Sequence, residues 1–335
     1  MTQSGIEATD CLTHIKCVRW PSASFLTSIK SCVSGAACSA ASSLRFSASR
    51  SRHGRIAAFL DGLRAAGFRV PEQINFVARI ADGDPARLAP LAAELIEQKP
   101  DVIVTVGSPA LRIVHLATTT IPIVAHDLDT DPVISGLIAS LGHPGGNVTG
   151  YFFGFPEFRM KWVEVLKETI PNLTSVAVLW DPATGHSQVK AVEEAAGVLG
   201  VKLEILKTQR RDDIAHAFAT ATRLNVGAVL MLSSPVLMAD LKMVADVALK
   251  HKLPTVTFFG EFARAGGFMT YGPNLLDTYH QVGGMVGKVL HGVRPADLPA
   301  ELPTKSELLL NLKTARTLGL VIPQSVLLRA DDVIE

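Results

Sequence analysis

The sequence predicts an α/β protein of two doubly wound, mostly parallel lobes. The chain is 335 residues long, which exceeds the usual size of one domain. From His53 onward short aliphatic runs alternate with amphipathic helical stretches, and the alternation breaks at His143-Pro144-Gly145-Gly146-Asn147 before it restarts. Two such series make two lobes.

Residues 53–67 set Ile56, Phe59, Leu60 and Leu63 at helical spacing, with Gly67 as the stop. A strand is expected at 74–80, a helix at 85–98, a near-continuous aliphatic strand at 101–106, a helix at 109–117 and a strand at 121–125. After the break a helix at 157–169 ends before Pro171. Strands then fall at 176–180, 202–206, 226–232 and 255–258, with helices at 188–199, 212–224 and 238–251 between them. Strands this aliphatic are covered on both faces, which requires parallel sheets flanked by helices. A second break, Gly272-Pro273-Asn274, precedes an isolated helix at 275–290 and a proline-punctuated tail, so the chain crosses between the lobes more than once and forms a hinge.

Composition removes several functions. Hydrophobic residues make up 48% and charged residues 19%, which excludes a disordered chain. Lys and Arg total 32 against 31 Asp and Glu, giving a net charge of +1, so no broad positive field serves nucleic acid or an anionic membrane. The apolar stretches are strand-sized, well short of the roughly 18 residues a membrane helix needs.

The first 52 residues form an atypical leader that is expected to be disordered. Serine supplies about a quarter of them, residues 11–60 contain no acid, and Cys11, Cys17, Cys32 and Cys38 all lie here. Basic, serine-rich, acid-poor composition is that of a targeting peptide, but Glu7, Asp10 and Lys30 make it a poor export signal. Cys11-x-x-His14-x-x-Cys17 offers soft metal ligands without a recognised zinc spacing. Two disulfides are the other reading, and nothing fixes their pairing.

In doubly wound sheets ligands bind beyond the carboxyl ends of the strands, so the residues just after each strand are the candidates. They are Ser108, Asp127, Asp129, Asp131, Asp181, His186, Ser233, Ser234 and Glu261, with Tyr151 and Tyr271 beside them. Ser108, at a helix start, suits a carboxylate, and the aspartates suit an amine or hydroxyls. Ser108 and Ser234 serve equally as helix caps, Asp181 as an Asp-Pro turn, and Tyr151, Trp180 and Tyr271 either face a ligand or belong to the core. No G-x-G-x-x-G, P-loop or G-x-S-x-G is present. Asp127-x-Asp129-x-Asp131 starts like a calcium loop but carries Pro132 and Ile138 where Gly and Glu are needed. No cofactor, metal or catalytic residue is expected.

Several runs carry a resemblance: Ile121-Pro-Ile-Val-Ala, Asp131-Pro-Val with Gly136-Leu-Ile-Ala-Ser-Leu, Pro144-Gly-Gly-Asn-Val-Thr-Gly, Val176-Ala-Val-Leu-Trp-Asp-Pro, Gly267-Phe-Met-Thr-Tyr-Gly-Pro, and Asn311-Leu-Lys-Thr-Ala-Arg-Thr-Leu-Gly-Leu. From about Arg55 to Glu335 the chain resembles the ABC transporter substrate-binding proteins related to TrpX, the tryptophan- and tyrosine-binding components. The resemblance implies a type I periplasmic-binding-protein fold joined by a three-crossing hinge. One lobe would comprise 53–148 with 273–300, the other 149–272 with 301–335. It also implies a monomer in the periplasm that closes on a small metabolite, an amino acid or relative, and delivers it to an ABC permease and its ATPase. A sensory receptor of the same fold is the alternative, and an enzyme using acids such as Asp127 and Glu261 is the remote one. The family's first strand is not found; residues 44–48 have the alternation without the strength. An altered or misread start is the expected reason, and loss of that central strand would leave its neighbours' backbone groups unpaired.

Overall fold

The aliphatic runs become the strands of two sheets in the computed structural model, which describes residues 25–31, 50–70, 72–81, 84–152 and 155–335. Strands β1 (Phe25–Ser31), β2 (Ile74–Ile80), β3 (Val102–Val106), β4 (Ile123–Asp127) and β5 (Val148–Phe152) form a five-stranded sheet of order β2-β1-β3-β4-β5. Helices α1 (Arg50–Ala65), α2 (Leu88–Glu97) and α3 (Ser108–Ala117) interleave with them. The pairs β3–β4 and β4–β5 are parallel, as sheets covered on both faces require.

The central slot left open by the sequence reading is filled from within the leader. Phe25–Ser31 lies between β2 and β3 and runs antiparallel to both, with Leu26 opposite Arg79 and Thr105. This corrects the expectation of a leader that adds nothing to the fold. The physical reason is pairing: the facing edges of β2 and β3 need partners for their N–H and C=O groups, and an alternating Leu-Thr-x-Ile segment can supply them while burying Leu26 on one face and Ile29 on the other. Residues 44–48, the four cysteines and the rest of the leader up to residue 49 lie outside the described residues.

The chain leaves the first sheet after Phe152. The β5 pairing keeps residues 149–152 beside β4, so the crossing follows Phe152 instead of preceding Thr149. Next come α4 (Phe155–Thr169), β6 (Ser175–Trp180), α5 (Ser187–Leu199), β7 (Lys202–Lys207), α6 (Arg211–Arg223), β8 (Ala228–Met231), α7 (Pro235–Met238), α8 (Leu241–Lys250), β9 (Thr255–Thr257), α9 (Gly260–Arg264) and β10 (Met269–Gly272). The helix expected at 238–251 is split because Asp240 caps α8, its carboxylate accepting the Met243 N–H at 3.0 Å. The chain then returns to the first lobe as α10 (Leu275–Leu290), capped by Asn274. It crosses back through Glu301, which bridges Tyr151, into β11 (Glu307–Asn311), α11 (Leu312–Thr317), α12 (Gln324–Leu327) and β12 (Asp332–Ile334). The second sheet has the order β12-β11-β10-β9-β8-β6-β7, and only β10–β11 is antiparallel.

Helices α1 and α10 cover one face of the first sheet at backbone contact. A side chain on Gly283 would collide with the Phe59 carbonyl, which is why a glycine stands at this crossing. In the second lobe Trp162 of α4 stacks on Phe258 at 5.4 Å and donates its indole N–H to the Tyr271 carbonyl at 2.6 Å, tying the helix to the sheet at the hinge.

Candidate functional site

The carboxyl ends of the two sheets face each other, and contacts among the described residues join the lobes. Arg112 of α3 donates to the Ala183 carbonyl at 2.6 Å. The Ser233 hydroxyl, after β8, lies close enough to the Asp129 carboxylate, after β4, to oppose the rise in its pKa. Arg55 of α1 pairs with Glu261 of α9, Nη2 to Oε1, at 3.2 Å. The lobes are therefore closed on one another.

This interface buries several of the polar residues picked from the sequence, among them Ser108, Asp129, Asp181 and Ser233. Ser108 opens α3 after Gly107, whose φ of +84° turns the chain sharply. The Ser108 N–H points at the Asp129 carboxylate at 3.4 Å, and the buried Ser108 hydroxyl has no aligned partner. The α3 N-terminus thus faces a carboxylate of the protein itself, where the sequence reading expects one from a ligand. Burial raises the Asp129 pKa, opposed by the Ser233 hydroxyl and the Ser108 N–H, while the charge of Asp181 adds to the rise. Asp181 accepts from Ser234 Oγ at 2.8 Å and from the Ala183 N–H at 2.9 Å; burial lifts its pKa as well. Gln188, which the sequence reading passed over, clamps the Ser233 backbone at both ends: Nε2 to the carbonyl at 3.0 Å, Oε1 from the N–H at 2.9 Å.

Other candidates serve the loops. Asp127 accepts the Asp129 N–H at 2.9 Å and also the N–H and hydroxyl of Thr130, closing a turn. Burial, then the neighbouring Asp129 charge, push its pKa up to about 7. Asp131 closes the next turn, accepting from Val133 and Ile134 at 2.8 and 2.9 Å. The three aspartates therefore look at different partners, and among the described residues no cluster of His, Cys, Asp or Glu could hold a metal. Ser234 caps α7. His186 is exposed and tilts against Trp180, whose indole donates to the Gly185 carbonyl at 2.9 Å. Tyr151 is buried at the hinge, where burial and the charges of Glu301 and Asp277 push its phenol up to about 12. Tyr271 lies partly buried in β10 beside the same hinge.

A large open volume lies on the hinge side. A cavity of about 870 Å³ is walled by Arg55 of the first lobe, by Met238, Leu241 and Glu261 of the second, and by Asn274 and Leu275 at the crossing. Of the sequence-picked residues, Glu261 reaches it. Behind Arg55, His126 stacks on Tyr279 at 4.4 Å with Nε2 2.8 Å from Thr278 Oγ1. Burial and the adjacent Arg55 charge drive the His126 pKa down to about 3, so the ring is neutral. Arg55 gave no signal in the sequence, since a lone Arg in an amphipathic helix normally faces water.

Two α/β lobes closed across a hinge, with a solute-sized cavity beside that hinge, define a binding protein of the periplasmic type I fold. The chain belongs to the ABC transporter substrate binding protein family, whose model matches residues 47–334. This bears out the resemblance read from the sequence. A conserved domain protein from Vibrio cholerae is 27% identical with a TM-score of 0.79, over 84% of this chain and 94% of that one. The ABC domain of a Streptococcus pneumonia protein in complex with L-Trp is 26% identical with a TM-score of 0.78, over 85% and 96%. A tyrosine-binding protein of Clostridioides difficile is 23% identical over 275 residues, covering 78% of this chain and 75% of its own length.

Proposed function

We propose that this chain captures an aromatic amino acid in the hinge-side cavity and presents it, as a monomer in the periplasm, to the permease and ATPase of an ABC importer. The cavity carries the reading. It lies beside the hinge and is walled by both lobes, its volume suits a single small metabolite, and Met238, Leu241, Leu275 and Leu309 give it an apolar wall for a ring. The L-Trp bound to one relative and the tyrosine in the name of another support that cargo class. Closure, not turnover, is the output: a permease that recognises the closed form receives the solute unchanged.

Thermal-shift and calorimetric titration of the full chain with L-Trp, L-Tyr, L-Phe, L-Leu and ribose tests it. Selective stabilisation by the aromatic amino acids is expected through linkage of binding to folding. A response to ribose alone, or chemical conversion of the bound solute, would overturn it.

A further inference from the structure

The Arg55–Glu261 pair is unusual among the ion pairs of this molecule. Its partners stand 206 residues apart on opposite lobes, and both line the cavity. Their side chains are only 17% and 18% exposed, whereas every other ion pair among the described residues has at least one partner exposed by about a third or more. Contact runs through one guanidinium nitrogen to one carboxylate oxygen, and Arg55 Nε is buried with no acceptor among the described residues. A guanidinium can bind a carboxylate through two parallel N–H bonds, and this one is left with a buried donor unused.

We propose that Arg55 and Glu261 are the two halves of a zwitterion subsite: the guanidinium takes the cargo's carboxylate, the Glu261 carboxylate takes its ammonium, and the direct ion pair is what the closed cleft makes without cargo. The argument is one of charge. The pair is neutral, and so is an amino acid, so an inserted zwitterion leaves no buried charge uncompensated. A bare amine would leave Arg55 unpaired in the closed cleft, and a bare acid would leave Glu261 so, each at the high cost of a buried lone charge. Because the two groups sit on different lobes, the zwitterion also bridges the lobes, coupling recognition to closure. Neutral His126 and the Tyr279 hydroxyl back Arg55 without competing for its charge. This subsite rests on the aromatic amino acid reading and adds the groups that recognise the amino acid backbone.

Calorimetric titrations of wild type, Arg55→Gln and Glu261→Gln with L-tryptophan, tryptamine and indole-3-propionate test it. Wild type should prefer L-tryptophan over either singly charged analogue by at least about 30-fold. Arg55→Gln should lose the preference over tryptamine, and Glu261→Gln the preference over indole-3-propionate, each while keeping the other discrimination. Should Arg55→Gln fail to melt cooperatively, Arg55→Lys and Glu261→Gln carry the test, the lysine retaining the preference over tryptamine at lower affinity. Variants that bind L-tryptophan with unchanged affinity and selectivity would overturn the subsite and leave the cargo reading standing. A wild-type protein that binds none of the three would overturn both.

Discussion

Gly62 of α1 lies directly against His280 of α10: a methyl group at Gly62 would come within 2.0 Å of the His280 carbonyl oxygen. The two helices meet backbone to backbone, and no rotamer change can relieve a clash with a carbonyl. Gly62→Ala should therefore lower stability by about 1–3 kcal/mol. Gly284→Ala, four residues further along α10 and facing open space, should raise it by up to about 1 kcal/mol through helix propensity. Urea unfolding of the two variants checks the opposite signs.

The strand in the central slot makes a second contrast. Leu26 is fully buried, so Leu26→Ala should cost about 2–5 kcal/mol. Thr27, its neighbour, buries a hydroxyl that has no partner, against Phe59, Phe76 and Tyr279. Thr27→Val should then stabilise by about 1 kcal/mol. Two neutral outcomes would show that Phe25–Ser31 does not occupy the slot.

Gln188 is buried and its amide satisfies both backbone groups of Ser233. Gln188→Ala would strand a buried N–H and C=O, at about 2–4 kcal/mol, and loosen the loop that carries Ser233 to Asp129. Chemical denaturation reads the first effect. A weaker titration with L-tryptophan reads the second.

Two neighbours set opposite pH dependences. The Asp127 pKa rises from 3.8 to about 7 on folding, so the folded state holds a proton the unfolded state lacks, and stability falls as pH rises from about 4 to 7. The His126 pKa falls from 6.5 to about 3, so the unfolded state holds the extra proton, and stability falls as pH drops from about 6.5 to 3. Between about 4 and 6.5 the two slopes offset. Relative to wild type, Asp127→Asn should gain stability with rising pH across that window, by roughly 1 kcal/mol per unit, and His126→Gln should lose it at a similar rate. Urea titrations at pH 4.5, 5.5 and 6.5 measure both; curves parallel to wild type would rule the offset out.

The fold was largely legible because periodicity reports burial. The expected strands and helices of both lobes form, with ends shifted by up to three residues, since runs such as Val102–Val106 are buried whole and α10 is amphipathic along its length. The strand in the leader was not, because Phe25–Ser31 is weakly apolar and enters against the direction of its neighbours. The site was harder. Rules about strand ends lead to Ser108, Asp129, Asp181 and Ser233, which do meet across the lobes, but they cannot tell an aspartate that closes its own turn, such as Asp131, from one that faces the cleft. Arg55 depends on which face of α1 meets the second lobe, a tertiary fact with no local signature.

The return of α10 to the first lobe has a consequence for synthesis. Ribosomes deliver a chain from its amino end, and α10 follows α1 by about 210 residues, or roughly 10–40 s of elongation. Throughout that interval Phe59 and Leu63 lack the helix that covers them, so the first lobe cannot finish before most of the second has been made. Nascent chains of this protein must keep that greasy face from strangers until Gly283 arrives to seal it.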